Sequence, residues 1–174
     1  MMVTASSTQR QDMNRALGLR LAGYHALDTL RSEKGYRHFG NDVTPDDTPL
    51  EAGLRFAVSF KKNADFIGRA ALEKQKEEGL KRRLAFFRLT DEEPILLHDE
   101  PIYRDGEIVG RTTSGAFGYT VGASVAMGYL PAQAQDWPAW LSGGKFEIEV
   151  AGTRCDAVAS PKPFYDPESA RIKL

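Results

Sequence analysis

The chain has 174 residues, with 23 Lys and Arg against 24 Asp and Glu and a formal net charge of −1, so it lacks the strongly basic balance of a nucleic-acid binder. Hydrophobic residues are 41% and charged residues 27%, which supports a packed core and fits one domain, or a piece of a domain plus a small one. No apolar run approaches the ~20 residues of a membrane span, the start MMVTASSTQRQDMNR has no apolar signal segment, and the lone Cys155 cannot staple the fold and suits a reducing compartment, with the cytoplasm as the default location.

Residues 1–13 are polar and read as a disordered arm. Leu17, Leu21, Tyr24, Leu27 and Leu30 then recur at helical spacing, and the spacing predicts a helix over 14–34. Lys34 places a cation in its last turn and Gly35 fits the left-handed position after it. Tyr36 to Asp47 is a loop by composition. Thr48-Pro49-Leu50-Glu51 forms a capping box with proline at the first helical position, stopped by Gly53 after about a turn. Leu54, Phe56, Val58 and Phe60 alternate with smaller or polar residues and predict a half-buried strand. A shorter helix follows from Gly68 to Glu78, with Ala71, Leu72 and Gln75 inward; its charged tail reads as a solvated helix end.

After Gly79 the pattern changes. Leu84 to Leu89 is a continuous apolar strand, and Asp105-Gly106 between IYR and EIVG is a hairpin signal. Strands are predicted at Val125 to Leu130, at Phe146 to Val150 and, after the turn Ala151-Gly152, at Arg154 to Ala159. Short strands separated by turns, with no helix pattern among them, predict a small antiparallel barrel or sandwich. The compositional boundary lies near Gly79.

The usual catalytic patterns are missing from the sequence. Gly115, Gly118 and Gly122 do not form a strand–turn–helix phosphate loop, and His25, His38 and His98 are scattered. Cys155 reads as a small buried strand residue. Two stretches remain. Tyr36-Arg37-His38-Phe39 gathers two rings, a guanidinium and an imidazole, a set that can stack on a flat heteroaromatic ligand; composition favours packing of the rings on the helix, and both readings stay open. Thr112 to Tyr119, rich in small and hydroxyl residues, reads either as a ligand-facing loop or as a barrel connection needing glycine torsions. Asp46 and Asp47 read as solvated loop aspartates.

The stretch LRSEKGYRHFGNDVTPDDTPLEAGL resembles a segment of the glycine-cleavage T-protein (aminomethyltransferase) family, and is nearer still to the C-terminal folate module of sarcosine and dimethylglycine dehydrogenases. FIGRAALEKQKEEGLKRRLAFF and GEIVGRTTSGAFGYTVGASVAMGYL extend the resemblance from about Gly18 to Phe164. It implies an α+β fold: a two-helix and strand remnant of the folate-binding domain over 14–79, then a C-terminal β-barrel over 80–174. It implies one-carbon transfer from an amine-derived iminium or aminomethyl group to tetrahydrofolate. FAD in such proteins belongs to a separate domain, which this chain does not contain.

The aspartate that organises the family's chemistry lies in an N-terminal part for which no room is seen upstream of Gly18, so no catalytic residue is carried over and the chain is expected to be inactive by itself. The resemblance places the folate-facing aromatic at Tyr36, the helix arginine at Arg31, and the barrel loop near the site at Ser114 and Phe117. Leu27 stands where T-proteins tend to carry an arginine, a departure that leaves Arg31 either a ligand residue or an anchor of the helix to the missing N-terminal half. The implied partners are the N-terminal folate and FAD domains or a chain carrying them, or a second copy of this chain, with no nucleic acid, membrane or metal. The alternative is a stand-alone interaction or regulatory module that reuses the barrel.

Overall fold

The computed structural model describes residues 12, 16–18, 22–132 and 136–173. The expected arm over 1–13 lies outside these residues except for position 12. The helix expected over 14–34 is described as α1, Tyr24–Lys34, with positions 12 and 16 also helical. Ala22 and Gly23 interrupt it, with Gly23 extended at φ −82° and ψ 171°; the remainder of the predicted N-terminal half is largely outside the described residues. Its end is as read: Gly35 sits at φ +71°, the Tyr36 amide donates to Arg31 O at 2.8 Å and the Gly35 amide to Ser32 O at 3.1 Å, the double bond of a left-handed helix stop.

Six strands form a closed antiparallel barrel, β1 (Arg82–Leu89), β2 (Pro101–Arg104), β3 (Glu107–Gly118), β4 (Ala123–Pro131), β5 (Phe146–Val150) and β6 (Thr153–Ser160). Their spatial order is β1-β4-β3-β2-β5-β6, and Phe86 to Leu89 of β1 pair with Ser160 to Ala157 of β6 to close the ring. Closure leaves no free sheet edge for another chain to extend. The two tight turns follow from residues at positive φ: Asp105 (+53°) with Gly106 (+91°), and Ala151 (+50°) with Gly152 (+83°), the twist-matched geometry of two-residue hairpins.

The run Leu84 to Phe87 in β1 is apolar and buried because both faces are covered, with Arg88 half-buried before Leu89. Ala85, Phe87 and Leu89 join the interior with Leu96, Ile102, Leu130, Phe146 and Ile148, while Leu84 and Phe86 pack outside with Met127, Tyr129 and Phe164, as a period-two strand dictates. A short helix, α3 (Trp137–Ser142), was not expected. Asp136 caps it by accepting the Ala139 amide at 3.1 Å, and Trp137 and Leu141, one turn apart, are both buried in the barrel core.

The segment between α1 and the barrel departs from expectation over residues 54–60 and at Ala71. Residues 54–60 are not a strand. Arg55–Ala57 form a single 3₁₀ turn and Phe56 is 86% exposed, because no neighbouring strand offers the backbone groups that a ladder needs. The capping box before it is formed, with the Thr48 amide 3.4 Å from Glu51 Oε2 and the Glu51 amide 3.2 Å from Thr48 Oγ1. Helix α2 (Arg69–Glu78) begins after Gly68; Leu72 and Gln75 are half-buried, whereas Ala71 is exposed.

The C-terminal segment is tied back to α1. Lys34 Nζ donates to Asp166 Oδ2 at 2.9 Å and to Ser169 Oγ at 3.0 Å. The hydrogen bond from Lys34, with the amides of Ala170 and Arg171, holds the Asp166 carboxyl below its ordinary range. A carboxylate depressed in the fold contributes fully above its unfolded pKa of about 3.9 and loses that contribution as pH falls through the lower folded value. Protection of the Ala170 amide, taken relative to its intrinsic exchange rate, should therefore hold down to about pH 4 and fall below it, and Lys34→Met should weaken that pH dependence.

Gly35 has a second constraint, since a Cβ there would lie 2.6 Å from Phe86 Cε1. Gly35→Ala is expected to cost about 2–4 kcal/mol, left-handed strain plus overpacking, read as a lowered urea midpoint.

Candidate functional site

Helix α1 faces the barrel with its polar side. Ser32 and Glu33 are buried, whereas Tyr24, Leu27 and Leu30 are 60–67% exposed. Glu33 Oε1 accepts the amides of Thr120 at 2.7 Å and Val121 at 2.8 Å, in the turn between β3 and β4. Gly118 permits this approach, since a Cβ would stand 3.0 Å from the Glu33 carboxylate.

Beside it lies a buried ionic cluster. Asp42 is fully buried, and its Oδ2 accepts from Arg31 Nη1 at 2.7 Å and from the His38 amide at 2.8 Å. Thr113 Oγ1 donates to Asp42 Oδ1, and Arg31 Nη1 also reaches Ser114 Oγ at 2.9 Å. Asp28, half-exposed, takes the other edge of the guanidinium at 2.8 Å. The Tyr129 hydroxyl donates to Asp42 O at 2.8 Å; burial, helped by the nearby Asp47 charge, pushes that phenol well above its ordinary range, so it stays a neutral donor. Asp42 received no attention at the level of sequence beyond its place in a polar loop. Its fully buried carboxylate, seventy-one residues from Thr113, has no local signature. Asp47, read as solvated, is also a clamp: it accepts the Thr44 amide at 2.7 Å and Arg82 Nη2 at 2.7 Å, and only Asp46 is exposed.

The four residues singled out as folate contacts do not form one site here. Arg31 and Ser114 meet in the ionic cluster. Ser114 and Phe117 lie on strand β3, not in a loop, next to a register shift between Thr112 and Ser114. Phe117 packs edge-on to Tyr119 with ring centroids 5.2 Å apart. Tyr36, half-exposed, lines a separate groove of about 610 Å³ with Arg37, Gly53, Phe56 and Phe86 among its walls.

Arg37 is turned inward at the base of that groove. Nε donates to Ala52 O at 3.0 Å, Nη1 to Gly35 O at 2.8 Å, and the guanidinium lies over the Phe86 ring at 5.3 Å. Burial lowers its pKa from the ordinary value, yet arginine remains charged at neutral pH. Gly53, at φ +69°, leaves room for Nη2, which would be 2.7 Å from a Cβ. The groove brings two exposed rings, Tyr36 and Phe56, together with a fixed cation, a set suited to a flat ligand with acceptor atoms. No group of three or more His, Cys, Asp or Glu side chains could hold a metal among the described residues, and no helix there is long and apolar enough to cross a membrane.

Fold and site together define an α+β chain in which a closed barrel carries a helix and loop on its outer wall. Residues 82–166 match the glycine cleavage T-protein C-terminal barrel domain and residues 11–62 match the GCVT N-terminal domain. The chain belongs to the glycine-cleavage T-protein family. It is 45% identical over 157 residues to 4-methylaminobutanoate oxidase (formaldehyde-forming) of Paenarthrobacter nicotinovorans, covering 90% of this chain and 18% of that protein. It is 40% identical over 158 residues to mitochondrial sarcosine dehydrogenase of Mus musculus, covering 90% and 17%. The crystal structure of glycine cleavage system aminomethyltransferase T from Bartonella henselae superposes with a TM-score of 0.75 at 29% identity, over 92% of this chain and 44% of that one. The chain thus spans less than a fifth of the two curated relatives and under half of the solved structure.

Replacing the buried acid tests the cluster. Asp42→Asn leaves Arg31 without its buried counter-charge and should cost about 3 kcal/mol in urea unfolding. Asp28→Asn, at a half-exposed partner, should cost under about 1 kcal/mol.

Proposed function

We infer that the chain supplies the C-terminal wall of a tetrahydrofolate site in a protein of the aminomethyltransferase and sarcosine dehydrogenase kind. The reaction would move a one-carbon unit from an amine-derived iminium or aminomethyl group onto the folate. The observation that carries this reading is the open groove lined by Tyr36, Phe56 and Arg37, with the Arg37 guanidinium held over Phe86. It has the ring-and-cation chemistry of a heteroaromatic site, but it is walled on one side. In this reading residues 14–79 belong to the folate-binding domain, residues 80–174 form its barrel cover, and the partner is a segment carrying the N-terminal folate domain, with any FAD in a further domain. The exposed α1 stripe of Tyr24, Leu27 and Leu30 is the surface that such a segment would cover. The assembled protein is placed in the cytoplasm.

Arg31 serves this site as an anchor. Its guanidinium is spent on Asp28, Asp42 and Ser114 and holds the loop that presents Tyr36. One-carbon chemistry needs groups preorganised around the developing charge. The groove's own walls, aromatic rings, prolines and ion-paired side chains, bring no such set, so turnover awaits the partner segment.

Calorimetric titration of tetrahydrofolate into the chain, with and without the N-terminal domain of a relative supplied in trans, tests the reading. Binding is expected only in the combined sample, and Tyr36→Ala should weaken it by about tenfold or more. Equal binding by the chain alone would refute the half-site, and no binding in either sample would refute the folate assignment.

A further inference from the structure

The geometry points to a second binding site, for a small multivalent anion, in the cavity between α2 and the start of β1. This cavity, about 470 Å³, shares only Gly53 and Pro161 with the Tyr36 groove. Three cations line it: Arg55 from the 3₁₀ turn, Lys76 from α2 and Arg83 from β1. None of the three has a carboxylate within ion-pair distance among the described residues. By contrast, Arg82, next in the chain to Arg83, is matched by Asp47 at 2.7 Å.

The single carboxylate in the lining, Glu51, is already committed. It belongs to the capping box with Thr48 and lies 3.8 Å from Arg82 Nε. The cavity is therefore left with excess positive charge, and its low-dielectric walls, Leu50, Leu80 and Leu84, concentrate the field of those charges.

Two further atoms point to a ligand. Arg83 Nε and Gln75 Oε1 are shielded from solvent and have no hydrogen-bond partner, a state that buried polar groups rarely keep without a role. The Arg83 guanidinium is held over the Trp137 ring at 5.6 Å, so its donors are fixed in direction. A ligand with two or three anionic groups would answer the cations, and a hydroxyl on it would answer the Gln75 amide oxygen. Hydroxylated polycarboxylates and phosphorylated metabolites share this chemistry, and the volume is that of a small-molecule site.

The test is calorimetric titration of the whole chain with citrate and, separately, tripolyphosphate at about 0.15 M ionic strength, with the Trp137 indole followed by NMR. One-to-one binding is expected with a Kd below about 1 mM, together with a shift of the Trp137 indole proton. Arg55→Gln/Lys76→Gln, at two exposed positions, should weaken it by about tenfold or more. Arg83→Met should weaken it further, and Lys74→Gln on the outer side of α2 should leave it unchanged. Binding of citrate alone identifies a carboxylate ligand, and binding of tripolyphosphate alone a phosphate ligand. The proposal is overturned if neither anion binds, or if the double variant binds like the parent chain.

Discussion

Everything outside the barrel hangs on one buried ion pair. Arg31 on α1 and Asp42 in the following loop meet at 2.7 Å, the acid fully buried and the guanidinium nearly so. Removing two charges from water is costly, and an isolated buried pair seldom repays it. Here further partners offset the cost: Thr113 and the His38 amide also donate to Asp42, and Ser114 and Asp28 also accept from Arg31. The pair fixes register. It specifies which turn of α1 sits over β3, and so where Tyr36 and Arg37 emerge, in a way that apolar packing alone would leave free to slide.

That arrangement explains an inversion in α1. A surface helix ordinarily buries its apolar stripe; this one buries Ser32 and Glu33 and presents Tyr24, Leu27 and Leu30 to solvent. The barrel needs no more apolar cover on that wall, because Leu84, Phe86 and Met127 already pack among themselves with Phe164. The helix is thus a two-sided layer, polar toward the barrel and apolar away from it, like an interior layer of a larger domain. The match of residues 11–62 to part of an N-terminal domain, and the greater length of the relatives, agree with that view.

The barrel was legible because its signals are local. Asp105-Gly106 and Ala151-Gly152 name their own turns, and alternation within β5 and the apolar run Leu84 to Phe87 in β1 state their burial. The capping box and the Gly35 stop are local as well. The strand expected over 54–60 failed because alternation records only which side chains could share a face, and a strand exists only where a neighbour completes its ladder. Helix α3 escaped notice although Asp136, Pro138 and Gly143 punctuate it, since six residues carry too little periodicity. The ionic cluster was out of reach for another reason: its contacts join positions 31 and 42 to 113 and 114, and nothing near Asp42 in the sequence marks it as buried. Arg31, readable as a ligand contact or as an anchor of the helix, and Ser114, readable as a ligand contact, meet each other here, with Asp42 as a further partner of Arg31.

The clasp between Lys34 and Asp166 joins residues 132 positions apart. On the ribosome α1 therefore emerges long before any of its docking sites exist, since β3, β4 and the 166–169 segment are all made later. A short helix without packing is marginal in water, so α1 must wait until those segments have been made. Docking of α1 is thereby timed by the 166–169 segment, and during that interval the undocked helix is a part in need of a chaperone.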